Sequence, residues 1–196
     1  MEERDEVFLI RESKKGNLSA FATLIRRYSD TVYRFAFRLL GDVPDAEDLC
    51  QEVFLHALGG IKKFEQRAKF STWLYRITVN LWKNKLKKES HQGQEISFTL
   101  TEPNEKGEER NLELPEPGAS IEELMDKKEK VEIIKQCLHL LTPLHKVIVI
   151  LRDIEGRTYN EIAEIMDCPI GTVQSRLSRA RGELRFKVLE VLKEHP

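Results

Sequence analysis

Thr72, Arg76, Asn80, Lys83 and Lys87 recur at steps of three and four, which sets them on one face of a helix, with Trp82 and Lys85 beside it. Cations and amides next to aromatic rings suit contact with backbone phosphates combined with stacking on unpaired bases. A second set lies near the carboxyl end: Thr172, Gln174, Ser175, Arg176, Ser178, Arg179 and Arg181. Glutamine can pair in bidentate fashion with adenine, arginine with guanine, and serine with either, so this set suits the edges of paired bases. Catalysis has a weaker claim on the sequence. Asp45, Glu47, Asp48 and Glu52 resemble a metal cluster only in composition, because they sit on one exposed helix without opposing carboxylates. His56 and Cys50 have no partner ligands at usable spacing. The expectation is a binding protein with no catalytic residue, no metal and no cofactor.

Charge sharpens that expectation. The 196 residues carry 32 basic and 33 acidic side chains, a net charge of −1. Residues 61–90, however, hold 9 basic against 2 acidic, and residues 91–126 hold 2 against 10. A net +7 over so short a stretch exceeds what solubility needs, which disfavours reading the lysine cluster as a merely solvated face. Two basic zones flanking an acidic one point to a strongly charged partner such as nucleic acid.

The elements that must carry these residues read as helices. Leu18, Phe21, Leu24, Ile25, Tyr28, Val32, Phe35 and Leu39 step by three and four along one long helix, with Gly41 placed as its C-cap. Asp42 opens the next helix, with Pro44 and acidic residues in the first turn, and Leu49, Val53, Ala57 and Leu58 continue it to Gly59 and Gly60. A short segment with Phe64 follows. Ser71 is the expected N-cap of a third helix whose apolar stripe is Phe70, Trp73, Leu74, Ile77 and Leu81.

From His91 to Ala119 the chain is acidic, rich in proline and glycine, and poor in large apolar residues, so it reads as a flexible linker. Stretched out, about 29 residues reach roughly 100 Å, whereas a flexible coil spans nearer 30 Å. Beyond it, Ile121, Leu124, Met125, Val131, Ile134, Leu138 and Leu141 form the buried side of a helix over 121–141. Thr142 and Pro143 start a segment running from Leu144 to Arg152. Thr158 and Glu161 make a capping box, Ile162, Ala163, Ile165 and Met166 supply a short inner face, and Asp167, Cys168 and Pro169 break the helix. Ile170, Val173, Leu177, Ala180 and Leu184 define the helix that follows. Two short helices about a tight break, the second one basic, predict a DNA-binding helix-turn-helix over about 158–182.

The fold class expected is therefore all-α: two small helical domains, residues 1–90 and 120–196, tethered by the acidic linker at 91–119. Three well-separated cysteines, Cys50, Cys137 and Cys168, form no CxxC pair and suit a reducing cytoplasm. The acidic amino terminus is unlike a signal peptide, and no apolar run approaches the roughly 18 residues needed to span a bilayer. Neither secretion nor membrane insertion is expected.

Three segments, DAEDLCQEVFLHAL, FSTWLYRITVN and MDCPIGTVQSRLSRAR, occur in an order that resembles the extracytoplasmic-function sigma factors, small members of the sigma-70 family. The resemblance implies that the first domain is sigma region 2 and the second sigma region 4. Such a protein binds core RNA polymerase, recognises the −10 and −35 promoter elements and promotes melting of the duplex for a specific regulon, often concerned with stress or the envelope. By position, Asp48, Gln51, Glu52, Leu55 and His56 correspond to the surface that docks on the clamp coiled coil of the largest polymerase subunit. Phe64 and Asn80 correspond to the parts that capture a flipped −10 base, and Trp73, Arg76, Lys83, Asn84 and Lys87 to the −10 recognition and melting helix. Thr172, Gln174, Ser175, Arg176, Ser178 and Arg179 correspond to −35 contacts in the major groove. Gln174 and Ser178 depart from the basic and bulkier residues that relatives often carry there, which leaves the preferred −35 bases open. The linker resembles the segment threaded through the polymerase's RNA exit path, and the resemblance also implies an anti-sigma factor as a partner.

An autonomous helix-turn-helix regulator is the alternative. It needs a dimer seam or a ligand pocket, and the first domain offers neither a heptad nor converging polar groups. With an acidic chain between its basic patches, the free protein is expected to bind promoter duplex weakly.

Overall fold

The computed structural model describes residues 2–90 and 127–194, and the expected linker lies outside the described residues. Among the described residues all regular structure is helical: α1 (Glu2–Lys14), α2 (Leu18–Leu40), α3 (Val43–Gly60), a 3-10 turn (Ile61–Lys63), α4 (Phe70–Ser90), α5 (Lys127–His139), α6 (Pro143–Val149), a π turn (Ile150–Ile154), α7 (Tyr159–Met166) and α8 (Ile170–Glu194).

Local chemistry sets most of the boundaries. Asn17 caps α2 by accepting from the Ala20 N–H at 3.1 Å, and Gly41 ends it in the left-handed conformation at φ 80°. A side chain at Gly41 would be strained by that φ and would also meet the His139 ring. Asp42 caps α3 by accepting from the Asp45 N–H at 3.0 Å. Helix α4 starts at Phe70, one residue before the expected cap at Ser71. Thr158 and Glu161 form the expected capping box on α7, and Asp167 closes that helix at φ 53°, making the tight break of the helix-turn-helix. Helix α8 then runs on to Glu194, well past the expected end.

The amino-terminal bundle packs α2 against α1, α3 and α4 around Phe21, Leu24, Phe35, Leu39, Val53, Phe70 and Leu74. Helix α1 escaped the periodicity reading because its only strongly buried apolar residue is Ile10. The carboxyl-terminal bundle gathers Val147, Ile148, Ile150, Leu151, Ile162, Ile165, Val173 and Leu177. Of the apolar side expected for the 121–141 helix, Leu138 and Leu141 are buried, Ile134 is exposed, and Ile121, Leu124 and Met125 lie outside the described residues. Ile170, expected to face inward, is also exposed. The three cysteines are free thiols.

Helix α4 departs most from its sequence pattern. Thr72 and Trp82, read as part of or beside the polar face, are both 2% exposed, and Tyr75 is buried with them. The reason is that α4 is covered on two sides, by α2 and α3 and again by α7 of the carboxyl-terminal bundle. The two bundles are thus in direct contact, an arrangement that the tether by itself did not require.

Candidate nucleic-acid interface

A cleft of about 470 Å³ opens beside the first turns of α4, lined by the 63–68 loop and by Thr72, Trp73 and Arg76. The loop enters after the 3-10 turn and is held by Lys14, whose Nζ donates to the Phe64 carbonyl at 2.7 Å. Gln66 adopts φ 58°, a left-handed conformation that costs a non-glycine residue energy and that tertiary contacts must sustain. Phe64 is only 5% exposed: its ring stacks on Trp73 at 4.8 Å and meets Phe70 edge-on at 5.6 Å. Its position is that of a cleft wall rather than a free-standing platform. Trp73 is half-buried, and the Thr72 hydroxyl, buried at the cleft, has no hydrogen-bond partner.

Beyond the cleft, α4 presents Arg76, Asn80, Asn84 and Lys87 as exposed residues, whereas Lys83 is half-buried. Burial holds the Lys83 ammonium below the usual lysine range, with the Arg176 guanidinium adding in the same direction. Lys85 is tied to Asp45 of α3 and braces the two helices. Lys63 and Arg67 add cations to the cleft; sequence reasoning missed them because an irregular loop has no period from which to read a face.

On α3, Asp48, Gln51, Glu52, Leu55 and His56 all emerge on the outer face, opposite buried Ala46, Leu49, Val53 and Ala57. Leu55, 69% exposed, is the most solvent-exposed of the large apolar side chains among the described residues. On α8, Gln174, Ser175, Ser178 and Arg179 are exposed and Thr172 is half-buried. Arg176 differs from the expectation: it is 4% exposed, enclosed near Lys83 and Cys168 where the turn meets α4. Arg181 is engaged in a two-pronged ion pair with Asp153, at 3.0 and 2.5 Å, so it fixes α8 to the π turn.

The seam between bundles carries polar contacts that the sequence did not reveal. Glu155 accepts from Arg38 and, at 2.5 Å, from the Tyr75 hydroxyl. Arg157 lies over the Tyr75 ring at 4.5 Å. Lys146 donates to the Leu39 carbonyl at 2.6 Å, and burial pulls its pKa down to about 8.

A helix-turn-helix and a basic helix beside an aromatic cleft together mark the class of nucleic-acid-binding proteins built from two helical units. The sigma-70 region 2 model matches residues 24–92 and the sigma-70 region 4 model residues 132–184. The ECF RNA polymerase sigma factor SigW of Bacillus subtilis is 33% identical over 185 residues, spanning 93% of this chain and 96% of the relative. The ECF RNA polymerase sigma-E factor of Escherichia coli is 34% identical over 200 residues, spanning 98% of each chain. The sigma factor RpoE of Bartonella quintana, solved in complex with the anti-sigma factor NepR, matches with a TM-score of 0.62 and 25% identity over 87% of this chain and 97% of that one. CnrH, solved with the cytosolic domain of CnrY, shares the fold at a TM-score of 0.64 and 18% identity, covering 98% of this chain and 99% of that one. The chain belongs to the extracytoplasmic-function subfamily of the sigma-70 family, and its function is that of an RNA polymerase sigma factor in transcription initiation. Among the described residues no helix is long and apolar enough to cross a membrane.

Proposed function

We propose that the exposed face of α3 around Leu55 docks on the clamp coiled coil of core RNA polymerase, that the cleft and α4 hold the −10 strand, and that the start of α8 reads −35. The carrying observation is the cleft itself: an aromatic wall of Phe64 and Trp73, a buried hydroxyl on Thr72, and a charged rim on which Lys63, Arg67 and Arg76 alternate with Glu65, Glu164 and Asp167. A flipped base needs a stacking surface and hydrogen-bonding groups to offset a few kcal/mol of unstacking, and its phosphates need cations. Asn80, Lys83, Asn84 and Lys87 continue that track along α4. Thr172, Gln174, Ser175, Arg176, Ser178 and Arg179 form the −35 set. The chain acts in the cytoplasm, where the polymerase supplies the catalysis and this protein supplies none. An anti-sigma factor is its regulatory partner, as NepR is for the Bartonella relative, and the regulon serves stress or envelope functions.

Run-off transcription with purified core on a randomised promoter library tests the reading. Enrichment of bipartite promoters supports it, and transcription indifferent to added chain sinks it. Asn80→Ala should leave closed-complex formation near normal and slow strand opening, seen as delayed permanganate reactivity of −10 thymines. Arg179→Ala should weaken −35 recognition by about 1–3 kcal/mol if the guanidinium contacts a base pair, with polymerase association unchanged.

A further inference from the structure

Helix α1 buries little apolar surface, with Ile10 the one strongly buried hydrophobic side chain among its described residues, yet it lies against the 3-10 turn that leads into the cleft loop. Local chemistry fixes where its last turn points. The Ser13 hydroxyl, on a residue 4% exposed, donates to the Leu9 carbonyl at 2.7 Å. The Gly16 and Asn17 N–H groups donate back to the Ser13 and Glu12 carbonyls at 3.0 and 3.1 Å, and Gly16 reverses the chain at φ 96°. Lys14 is thereby held towards the loop and half-buried, while Lys15 turns to solvent and pairs with Glu12 at 2.8 Å within α1.

The loop depends on ties from outside itself. Residues 64–69 join the 3-10 turn to α4 without regular structure, and the left-handed conformation of Gln66 persists only where surrounding contacts sustain it. Lys14 supplies one such contact at the first loop residue: its Nζ donates to the Phe64 carbonyl at 2.7 Å, a charge-assisted bond across 50 positions. A second tie reaches the same aromatic group from farther up α1. The Tyr28 hydroxyl donates to Glu6, the Tyr28 ring meets Phe70 edge-on at 5.4 Å, and Phe70 meets Phe64 at 5.6 Å. Both ties converge on the residue whose ring stacks on Trp73 to make the cleft wall. Lys14 does not itself line the cleft, and its ammonium is directed at a carbonyl rather than at the space a strand would fill.

We propose that Lys14 is a positioning residue for −10 strand opening: by holding the Phe64 carbonyl it fixes the loop, and with it the aromatic wall and the Lys63 and Arg67 cations, in the geometry that receives an unpaired base. The proposal rests on the reading of the cleft given above, and it gives α1 a part in promoter opening without contact to DNA. Preorganisation is the physical ground. A loop ordered before the base arrives loses no further conformational freedom during opening, whereas the first electrostatic capture of duplex does not depend on the loop's order.

The test uses holoenzyme made with the full chain carrying Lys14→Met, Lys14→Arg or Lys15→Met. Methionine keeps much of the length of lysine but cannot donate, arginine retains a donor, and Lys15→Met removes the same charge one residue away. Lys14→Met should slow opening, followed by permanganate reactivity of −10 thymines, by about tenfold, the scale of one lost charge-assisted hydrogen bond. Lys14→Arg should recover most of the rate, and Lys15→Met should open like wild type. Salt dependence separates positioning from direct contact: removing a lysine that sits on a phosphate lowers the slope of log affinity against log salt by about one, and Lys14→Met should leave that slope as it is. In the free chain, Lys14→Met should speed amide hydrogen exchange at residues 64–68 while the urea midpoint stays near that of wild type. Wild-type opening in Lys14→Met, a slope lowered by about one, or exchange raised evenly through the amino-terminal bundle each overturn the positioning role and leave the promoter reading standing. A wild-type holoenzyme that opens no promoter removes the promoter reading itself, whatever the Lys14 variants do.

Discussion

Leu55→Arg is expected to cost the chain its hold on core RNA polymerase while leaving the fold intact. Leu55 is 69% exposed and contributes little to the bundle core, so its replacement should change stability by no more than about 0.5 kcal/mol. At a protein interface the same side chain would enter a desolvated pocket, ringed here by Asp48, Gln51, Glu52 and His56. Putting a guanidinium there instead removes the apolar contact and brings a bulky hydrated cation into the interface. Central interface residues of this kind are worth about 2 kcal/mol or more, so the dissociation constant should rise roughly thirtyfold or further. Leu18, 67% exposed on α2, provides the control. Leu18→Arg changes a similarly exposed leucine away from the proposed docking face and should alter polymerase affinity by less than about twofold. Equal effects from the two substitutions, measured by fluorescence titration with core enzyme, would remove α3 as the docking surface.

Phe35→Ala should unfold a large part of the stability margin of the amino-terminal bundle. The Phe35 side chain is fully enclosed, with its ring 4.5 Å from that of Tyr75 at an interplanar angle of 65°. Emptying such a site costs about 3–5 kcal/mol through lost transfer energy and the cavity left behind. A domain is typically stable by about 5–15 kcal/mol, so the loss is a substantial share. Both tryptophans of the chain, Trp73 and Trp82, lie on α4, and their fluorescence therefore reports this bundle rather than the carboxyl-terminal one. Urea unfolding followed by that signal should show a lower midpoint with a similar slope, and a loss below about 1 kcal/mol would mean that the cavity collapses. Because Tyr75 also donates to Glu155, the same substitution should loosen the seam.

How much of this was legible beforehand follows from the range of each interaction. The apolar period of α2, the capping box at Thr158 and Glu161 and the break at Asp167 all involve residues within a turn or two, so a one-dimensional pattern specifies them. Gly41 is similar, since a left-handed cap is a local demand. The cleft was only half legible. Phe64 and Trp73 could be chosen by type, but their stacking depends on a loop whose left-handed Gln66 has no periodic signature. Lys63 and Arg67 became visible as rim residues only when the loop was placed.

The chain alone determined α2, α3, α4, the helix-turn-helix and the two basic surfaces, though not α1, because backbone capping and side-chain spacing act between near neighbours. Tertiary structure decided which of those surfaces meets water. Thr72, Trp82 and Arg176 sit at positions that a single amphipathic helix would expose, yet all three are buried because a second element arrives from elsewhere in the sequence. Glu155 meets Tyr75 across 80 positions and Arg38 across 117. No local period encodes a contact over that separation, since it exists only when two independently formed bundles settle against each other.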